Sequence, residues 1–170
     1  AEAVDLPIIL YNVPGRTGVD LHNDTAIRLA DIPQIVGIKD ATGDVPRGKE
    51  LIDGLKGKNM VVYSGDDATA SELIQLGAHG NISVTANIAP KIMSELCAAA
   101  IAGDAATAKS KDDQVAKLNN ILFCESNPIP VKWALHEMEL IGTGIRLPLT
   151  PLAEQYRAPL REELKAVGLI

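Results

Sequence analysis

Four short apolar runs, each followed by a turn and a helix-like segment, place the tightest constraint on the fold of this chain. They lie at residues 6–13, 35–38, 60–64 and 80–84. The first two runs show almost no alternation of polar and apolar residues, which is typical of strands covered on both faces. Parallel neighbours need a crossover, and a helix is the usual one. The order therefore predicts a parallel α/β sheet, either doubly wound or closed into a barrel.

The second half of the chain has the pattern of helices only. We predict helices at 89–102, 105–122, 131–140 and a last one that ends before 168. Pro159 interrupts the last pattern, so we expect that helix to begin near Pro159.

Lys39 stands where the second apolar run ends and a turn begins. The carboxyl ends of strands are where α/β folds keep their active sites. An ammonium group in a partly dry pocket loses hydration, which favours the neutral amine that can attack a carbonyl and form an imine. Lys39 is therefore a candidate Schiff-base residue, and a solvated loop lysine is the alternative interpretation.

Charge and composition argue against several other functions. A formal net charge of -6, scattered basic residues and 3% aromatic residues do not suit nucleic-acid binding. We find no apolar run long enough to cross a membrane and no secretion signal, so we expect a cytoplasmic protein. Cys97 and Cys124 lack metal-ligand or redox spacing and are expected to be free thiols in the core.

The first residues of the chain suggest that it is a fragment. It opens Ala-Glu-Ala, without methionine, and enters the first predicted strand almost at once.

Six short strings occur in register along almost the whole chain and resemble the dihydrodipicolinate synthase family. They are YNVPGRTG (11–18), GIKDATGD (37–44), SGDD (64–67), GNISVTAN (80–87), NPIPVKWAL (127–135) and RLPLTP (146–151). The resemblance implies an α/β fold, the C-terminal half of a (β/α)8 TIM barrel (strands 5–8) plus an all-helical C-terminal extension. The implied domains are a half-barrel at 1–88 and, packed on it, the extension at 89–170.

The activity that the resemblance implies is the condensation of pyruvate with L-aspartate 4-semialdehyde to 4-hydroxy-tetrahydrodipicolinate, in lysine and diaminopimelate biosynthesis. It also implies a homotetramer that needs no metal or organic cofactor, since a lysine supplies the electron sink.

Three site residues follow from the resemblance. Lys39 matches the lysine that forms the imine with pyruvate. Tyr11 matches the tyrosine that shuttles protons, a task that needs a phenol near the imine. Arg16 matches the arginine that receives the carboxylate of the aldehyde substrate, which suits a planar fork of donors. Without the resemblance, Tyr11 reads as a strand tyrosine and Arg16 as a solvated loop residue.

Two further positions match residues that line the pyruvate pocket, Gly65 through its missing side chain and Ile82 through its backbone carbonyl. A turn requirement at Gly65 and plain core packing at Ile82 are the alternatives. Asp66 and Asp67 look like an acid–base pair, but we favour a helix N-cap and dipole role for them.

Several family features lie outside these 170 residues. The resemblance places the carboxylate-binding threonines, a second tyrosine and the lysine-inhibition site in the absent half. We therefore expect the chain alone to be inactive. The alternatives are a related pyruvate-dependent aldolase, such as N-acetylneuraminate lyase or a keto-deoxy-sugar acid aldolase, and a non-catalytic half-barrel binding module. Arg16 argues against the aldolases, because they need no cation at this position to bind a second carboxylate.

Overall fold

A parallel sheet of three strands organises the first half of the molecule, in a computed structural model that describes residues 1 and 3–170. The strands are β1 (Ile8–Asn12), β2 (Ile35–Asp40) and β3 (Val61–Ser64), and their order in the sheet is β1-β2-β3. Each strand is parallel to its neighbour and joined to it through a helix, so the predicted parallel α/β arrangement is confirmed.

The fourth predicted strand, at 80–84, is reduced to one parallel bridge between Asn81 and Ser64. The Ser64 amide donates to the carbonyl of Gly80, and the Ile82 amide donates to the carbonyl of Ser64, both at 2.9 Å. A strand-like pairing is therefore present, but it extends over one residue instead of five.

A buried carboxylate explains why the pairing stops there. The amides of Val84 and Thr85 each donate to Asp67 Oδ2 at 2.9 Å, so they are not available to a sheet. The chain turns at once into a single turn of 3₁₀ helix, Thr85–Asn87. The Asp67 side chain thus competes with the sheet for these backbone donors. The apolar pattern of the sequence does not reveal this competition.

Eight α-helices occur in residues 1 and 3–170, and those predicted at 89–102, 105–122 and 131–140 lie within three residues of their predicted ends. They are α1 (Pro14–Thr17), α2 (Asn23–Leu29), α3 (Val45–Gly54), α4 (Ala70–Gln75), α5 (Pro90–Ile101), α6 (Ala105–Ile121), α7 (Ile129–Glu137) and α8 (Glu154–Val167). Within residues 1 and 3–170, none of them combines the length and the apolar character that a membrane crossing needs.

Local sequence chemistry accounts for the start of helix α3. The carboxylate of Asp44 accepts a hydrogen bond of 3.0 Å from the amide of Arg47, and Pro46 lies in the first turn. Leu51 and Leu55 are buried on the side that faces the core. Cap, proline and apolar stripe together fix where the crossover after β2 starts and which face it presents.

The prediction for the start of α8 is wrong. The helix begins at Glu154 and contains Pro159. A proline at the sixth helical position removes the hydrogen bond that the carbonyl of Gln155 would accept, and the ring crowds that carbonyl. The helix continues because Leu160 and Leu164, on its inner face, are fully buried. Apolar packing therefore outweighs the local break.

The two faces of the sheet differ more than the apolar runs suggest. Asn12, Asp40 and Ser64 share one row and are buried against the helices. On the opposite face, Ile9 is 48% and Tyr11 52% exposed. In this 170-residue chain that side of β1 is open, because among the described residues no strand or helix covers it.

Two apolar cores support this arrangement. The first joins the sheet to its helices and reaches α5 and the start of α6 through Ala99, Ala100 and Ala108. The second lies among α6, α7 and α8 and includes Leu118 and Leu160. The domain boundary between residues 88 and 89 stays a prediction, and α5 packs with the sheet-side core.

Candidate active site

Lys39 and Tyr11 face each other across the β1–β2 ladder. Their Cα atoms are register partners, and the Lys39 ammonium lies 4.2 Å from the centroid of the Tyr11 ring. A cation over an aromatic face is held by the ring quadrupole and is screened from water on that side. The lysine is therefore directed along the sheet face and has lost part of its freedom to sweep through solvent.

Gly65 closes the space on the other side of the lysine. A Cβ atom at this position would lie 2.8 Å from Lys39 Cε and 2.7 Å from Ala41 Cβ. Gly65 is not among the glycines with positive φ, so a turn conformation does not account for it. The close approach of Lys39 is the physical reason for glycine here.

Arg16 enters the same region from the single-turn helix α1. Gly18, with φ of 68°, ends that turn, and Arg16 Nη1 donates to the carbonyl of Asn127 at 3.3 Å. Within the part of the chain that the structure describes, Arg16 forms no ion pair with a carboxylate. Its remaining donors are thus available to an anionic ligand.

Tyr11, Arg16, Lys39 and Gly65 line one open cavity of about 560 Å³. Part of the opposite wall comes from the segment before α7. Its lining residues include Phe123, Glu125, Ser126 and Asn127. Sequence reasoning assigned no role to Phe123 or Glu125, although the NPIP string next to them marks this bend. An amine, a phenol and a guanidinium therefore surround a space large enough for a small substrate.

Ile82 is the one predicted site residue that does not line this cavity. Its side chain is 42% exposed, and its amide donates to Ser64 in the bridge beside β3. Val84, two residues later, lines the cavity instead. The role of the Ile82 carbonyl stays a prediction.

A polar cluster missed by sequence reasoning braces the loop behind Arg16. The Asn12 side chain donates to Asp20 at 3.0 Å, and its carbonyl oxygen accepts from the amide of Leu21 at 3.0 Å. Arg47 donates to both oxygens of Asp20 at 2.8 Å. The hydrogen bonds from Arg47, which have the larger effect, and from Asn12 hold the pKa of Asp20 well below its usual value. The one sequence signal was a polar residue directly after Tyr11.

Asp40 follows the lysine and points to the opposite face of the sheet. It is 5% exposed and accepts a hydrogen bond of 2.7 Å from the Thr42 hydroxyl. Burial raises the pKa of Asp40, and the Thr42 bond and the charge of Arg47 oppose that rise. Asp40 therefore fixes the turn after β2 from behind and does not line the cavity.

Asp66 and Asp67 have separate structural tasks. Asp66 accepts hydrogen bonds from the amide and the hydroxyl of Thr69, in the turn that leads into α4. The buried Asp67 accepts from the Asn81 side chain at 2.7 Å and from two amides beyond it. The N-cap expectation therefore fits Asp66 approximately and is wrong for Asp67. Asp67 instead accepts the backbone donors that follow the one-residue fourth strand.

No three His, Cys, Asp or Glu side chains lie together as a metal site would require, within residues 1 and 3–170. Cys97 and Cys124 are free thiols, and burial raises the pKa of each.

Known proteins resemble this chain in sequence along almost its whole length. The family described as "Dihydrodipicolinate synthetase family" matches residues 1–167. The 4-hydroxy-tetrahydrodipicolinate synthases of Stutzerimonas stutzeri and Pseudomonas aeruginosa are 58% and 59% identical to the chain over 170 residues. In each case the match covers 100% of this chain and 58% of the relative, so the chain spans little more than half the length of these curated relatives.

A solved structure of the same family has nearly the same fold over this part of the chain. The chloride-inhibited dihydrodipicolinate synthase of Acinetobacter baumannii, crystallised with pyruvate, is 76% identical, with a TM-score of 0.97. The match covers 99% of this chain and 58% of that one. The fold is accordingly the C-terminal half of a (β/α)8 barrel, followed by a helical extension.

Proposed function

The chain belongs to the dihydrodipicolinate synthetase family, and we propose on this basis that Lys39 forms an imine with pyruvate, which then condenses with L-aspartate 4-semialdehyde. The observation that carries the proposal is the placement of Lys39 between the Tyr11 ring and Gly65, in a cavity that Arg16 also lines.

The reaction begins with attack of the neutral Lys39 amine on the ketone carbon of pyruvate. Loss of water gives the imine, and loss of a methyl proton gives the enamine. The enamine carbon attacks the aldehyde and forms the new carbon–carbon bond. The amino group of the second substrate then attacks the imine carbon, closes the ring and releases the lysine. The product is 4-hydroxy-tetrahydrodipicolinate.

Tyr11 and Arg16 have different parts in this sequence. The Tyr11 phenol, next to the amine, moves protons as the carbonyl oxygen leaves and as the ring closes. The Arg16 guanidinium, which has free donors, receives the carboxylate of the semialdehyde and orients its aldehyde towards the enamine. Related aldolases that act on sugar acids need no cation for this purpose.

Borohydride trapping tests the imine. We join the chain to the preceding part of the Acinetobacter baumannii synthase and treat this fusion protein with pyruvate and borohydride. We expect one reduced pyruvate adduct, located on Lys39 by peptide mass mapping. The Lys39→Arg variant keeps the charge and should not be labelled. An unlabelled Lys39 in the parent fusion protein would overturn the proposal.

Turnover tests the substrates and the competence of the chain. The fusion protein should condense pyruvate with aspartate semialdehyde, and the 170 residues alone should not. Turnover by the chain alone would refute the proposed inactivity. Preference of the fusion protein for sugar aldehydes would instead favour a sugar-acid aldolase. Arg16→Gln should raise the KM for the semialdehyde and leave pyruvate trapping unchanged.

We also infer that the intact enzyme is a cytoplasmic homotetramer that serves lysine and diaminopimelate biosynthesis. The names of its bacterial relatives support the pathway. Sedimentation of the fusion protein at several concentrations measures the assembly, and a monomer at micromolar concentration contradicts it.

A further inference from the structure

A second cavity lies in the helical extension, apart from the site of Lys39. Helices α7 and α8 and the loop between them enclose about 320 Å³, which is near the lower end of the size range of small-molecule sites. None of its lining residues also lines the Lys39 cavity. The family reaction as proposed above makes no use of this space.

Much of the wall of this second cavity is apolar. Ile129, Ile145 and Leu152 line it, together with the ring of Trp133. Trp133 is the single tryptophan of the chain. Such a wall favours a ligand with an aliphatic or aromatic body, which gains by leaving water.

The charged residues of the cavity divide into a neutralised pair and two free cations. Arg161 donates to Glu137 Oε2 through Nε at 2.7 Å, and its guanidinium lies 5.3 Å from the Trp133 ring. This arginine is therefore already paired and serves as part of the wall. Lys132 and Arg157 also line the cavity, and neither forms an ion pair in the part of the chain that the structure describes.

Arg157 is positioned for recognition of an anion. Its Nε donates to the carbonyl of Leu152 at 3.0 Å, which fixes the guanidinium plane and leaves both terminal nitrogens without a protein partner among the described residues. A guanidinium fixed in this way can bind both oxygens of a carboxylate, and Lys132 adds a second positive charge. Two uncompensated cations in one cavity stand out on a chain with net charge -6.

We propose that this cavity binds a small molecule that carries one carboxylate on an apolar body. The carboxylate lies between Lys132 and Arg157, and the body lies against Trp133 and Leu152. This site is independent of the Schiff-base chemistry, so its test does not require an active enzyme.

Hexanoate is a suitable probe because it carries the required groups and does not absorb where tryptophan does. We titrate the 170-residue chain with hexanoate over the millimolar range. Calorimetry gives the affinity, and Trp133 emission reports occupancy of this cavity. Hexanamide, which has the same body without the charge, is the matched ligand. We expect saturable binding of hexanoate with a change in emission, and binding of hexanamide at least about tenfold weaker.

Charge variants test the recognition. Lys132→Gln and Arg157→Gln should each weaken hexanoate binding by about tenfold or more and leave hexanamide unaffected. Lys117→Gln removes an exposed lysine on α6 that does not line the cavity and should bind hexanoate as the parent does. Arg157→Lys should fall between parent and Arg157→Gln.

Three results would overturn the proposal. They are equal affinity for hexanoate and hexanamide, an equal loss in Lys117→Gln and Lys132→Gln, and neither heat nor an emission change up to the highest concentration. Thermal unfolding of each variant verifies that it is folded.

Discussion

The ammonium of Lys39 lies over the ring of Tyr11, 4.2 Å from its centroid, and the two residues are partners in the β1–β2 register. The aromatic ring and its hydroxyl can therefore have separate effects on the amine. The ring fixes its direction, and in the reaction proposed above the hydroxyl exchanges protons.

Tyr11→Phe should separate these two effects. The ring remains under the amine, so pyruvate trapping at Lys39 in the fusion protein should persist, while turnover should fall by about 10²–10⁴-fold with the loss of proton transfer. Tyr11→Leu removes the ring as well and should also slow trapping. Steady-state kinetics and mass mapping measure the two effects. Equal loss of trapping in both variants would contradict the separation.

Gly65→Ala should move the lysine. The new Cβ would lie 2.8 Å from Lys39 Cε, so the side chain must shift. A misplacement of this kind costs about 100-fold in reactivity, and overpacking costs about 1–3 kcal/mol of stability. Gly144→Ala is the matched control, because nothing lies within 4 Å of its added Cβ. Trapping rates and urea unfolding check both, and a normal trapping rate in Gly65→Ala would show that the packing is not restrictive.

Asp20→Asn should reduce the dependence of stability on acidity. Arg47 and Asn12 hold the pKa of Asp20 below its ordinary value of 3.8. The folded state therefore binds fewer protons than the unfolded state. The stability that Asp20 contributes is complete at pH values above its ordinary pKa of 3.8, and it is lost as the pH falls through the lower pKa of the folded state. The plot of unfolding free energy against pH should be less steep for the variant in this acidic range.

Asp24→Asn provides the comparison for Asp20, since Asp24 is an exposed carboxylate in α2 without an ion pair among the described residues. Urea unfolding at a series of pH values measures both variants. Identical slopes for Asp20→Asn and the parent would show that the Arg47 pair does not act on stability in this way.

Pro159→Ala should stabilise the chain. The proline is exposed within α8, and alanine restores a backbone donor for Gln155. A proline inside a helix costs up to about 3 kcal/mol relative to alanine, so we expect a gain in unfolding free energy that does not exceed this. Ala158→Gly on the same exposed turn should instead lose about 1 kcal/mol. A destabilised Pro159→Ala would indicate that α8 needs its proline in the native bend.

The sequence predicted the position of Lys39 because that prediction depends on local order alone. An apolar run fixes a strand, and a lysine at its end followed by a turn must lie at the edge where parallel strands finish. Local order also led to the error at Pro159, since the proline rule takes no account of burial of the inner helix face.

Contacts between distant residues were not predictable. Arg47 and Asp20 are separated by 27 positions, and only the folded chain brings them together. The short fourth strand has the same cause, because Asp67 takes backbone donors 17 and 18 residues further along the chain. The resemblance to a family supplied roles for site residues that the residues alone left open. It did not predict these hydrogen bonds between distant residues.

Asp67 has one more consequence, for how this molecule can change in evolution. A single carboxylate at the end of β3 receives both the Asn81 side chain and the amides that follow it, so the intervening segment is a closed loop with both ends fixed at one point. We therefore expect insertions to be rare between Asp67 and Asn81, because a change in the length of this loop would have to be accommodated without moving either end.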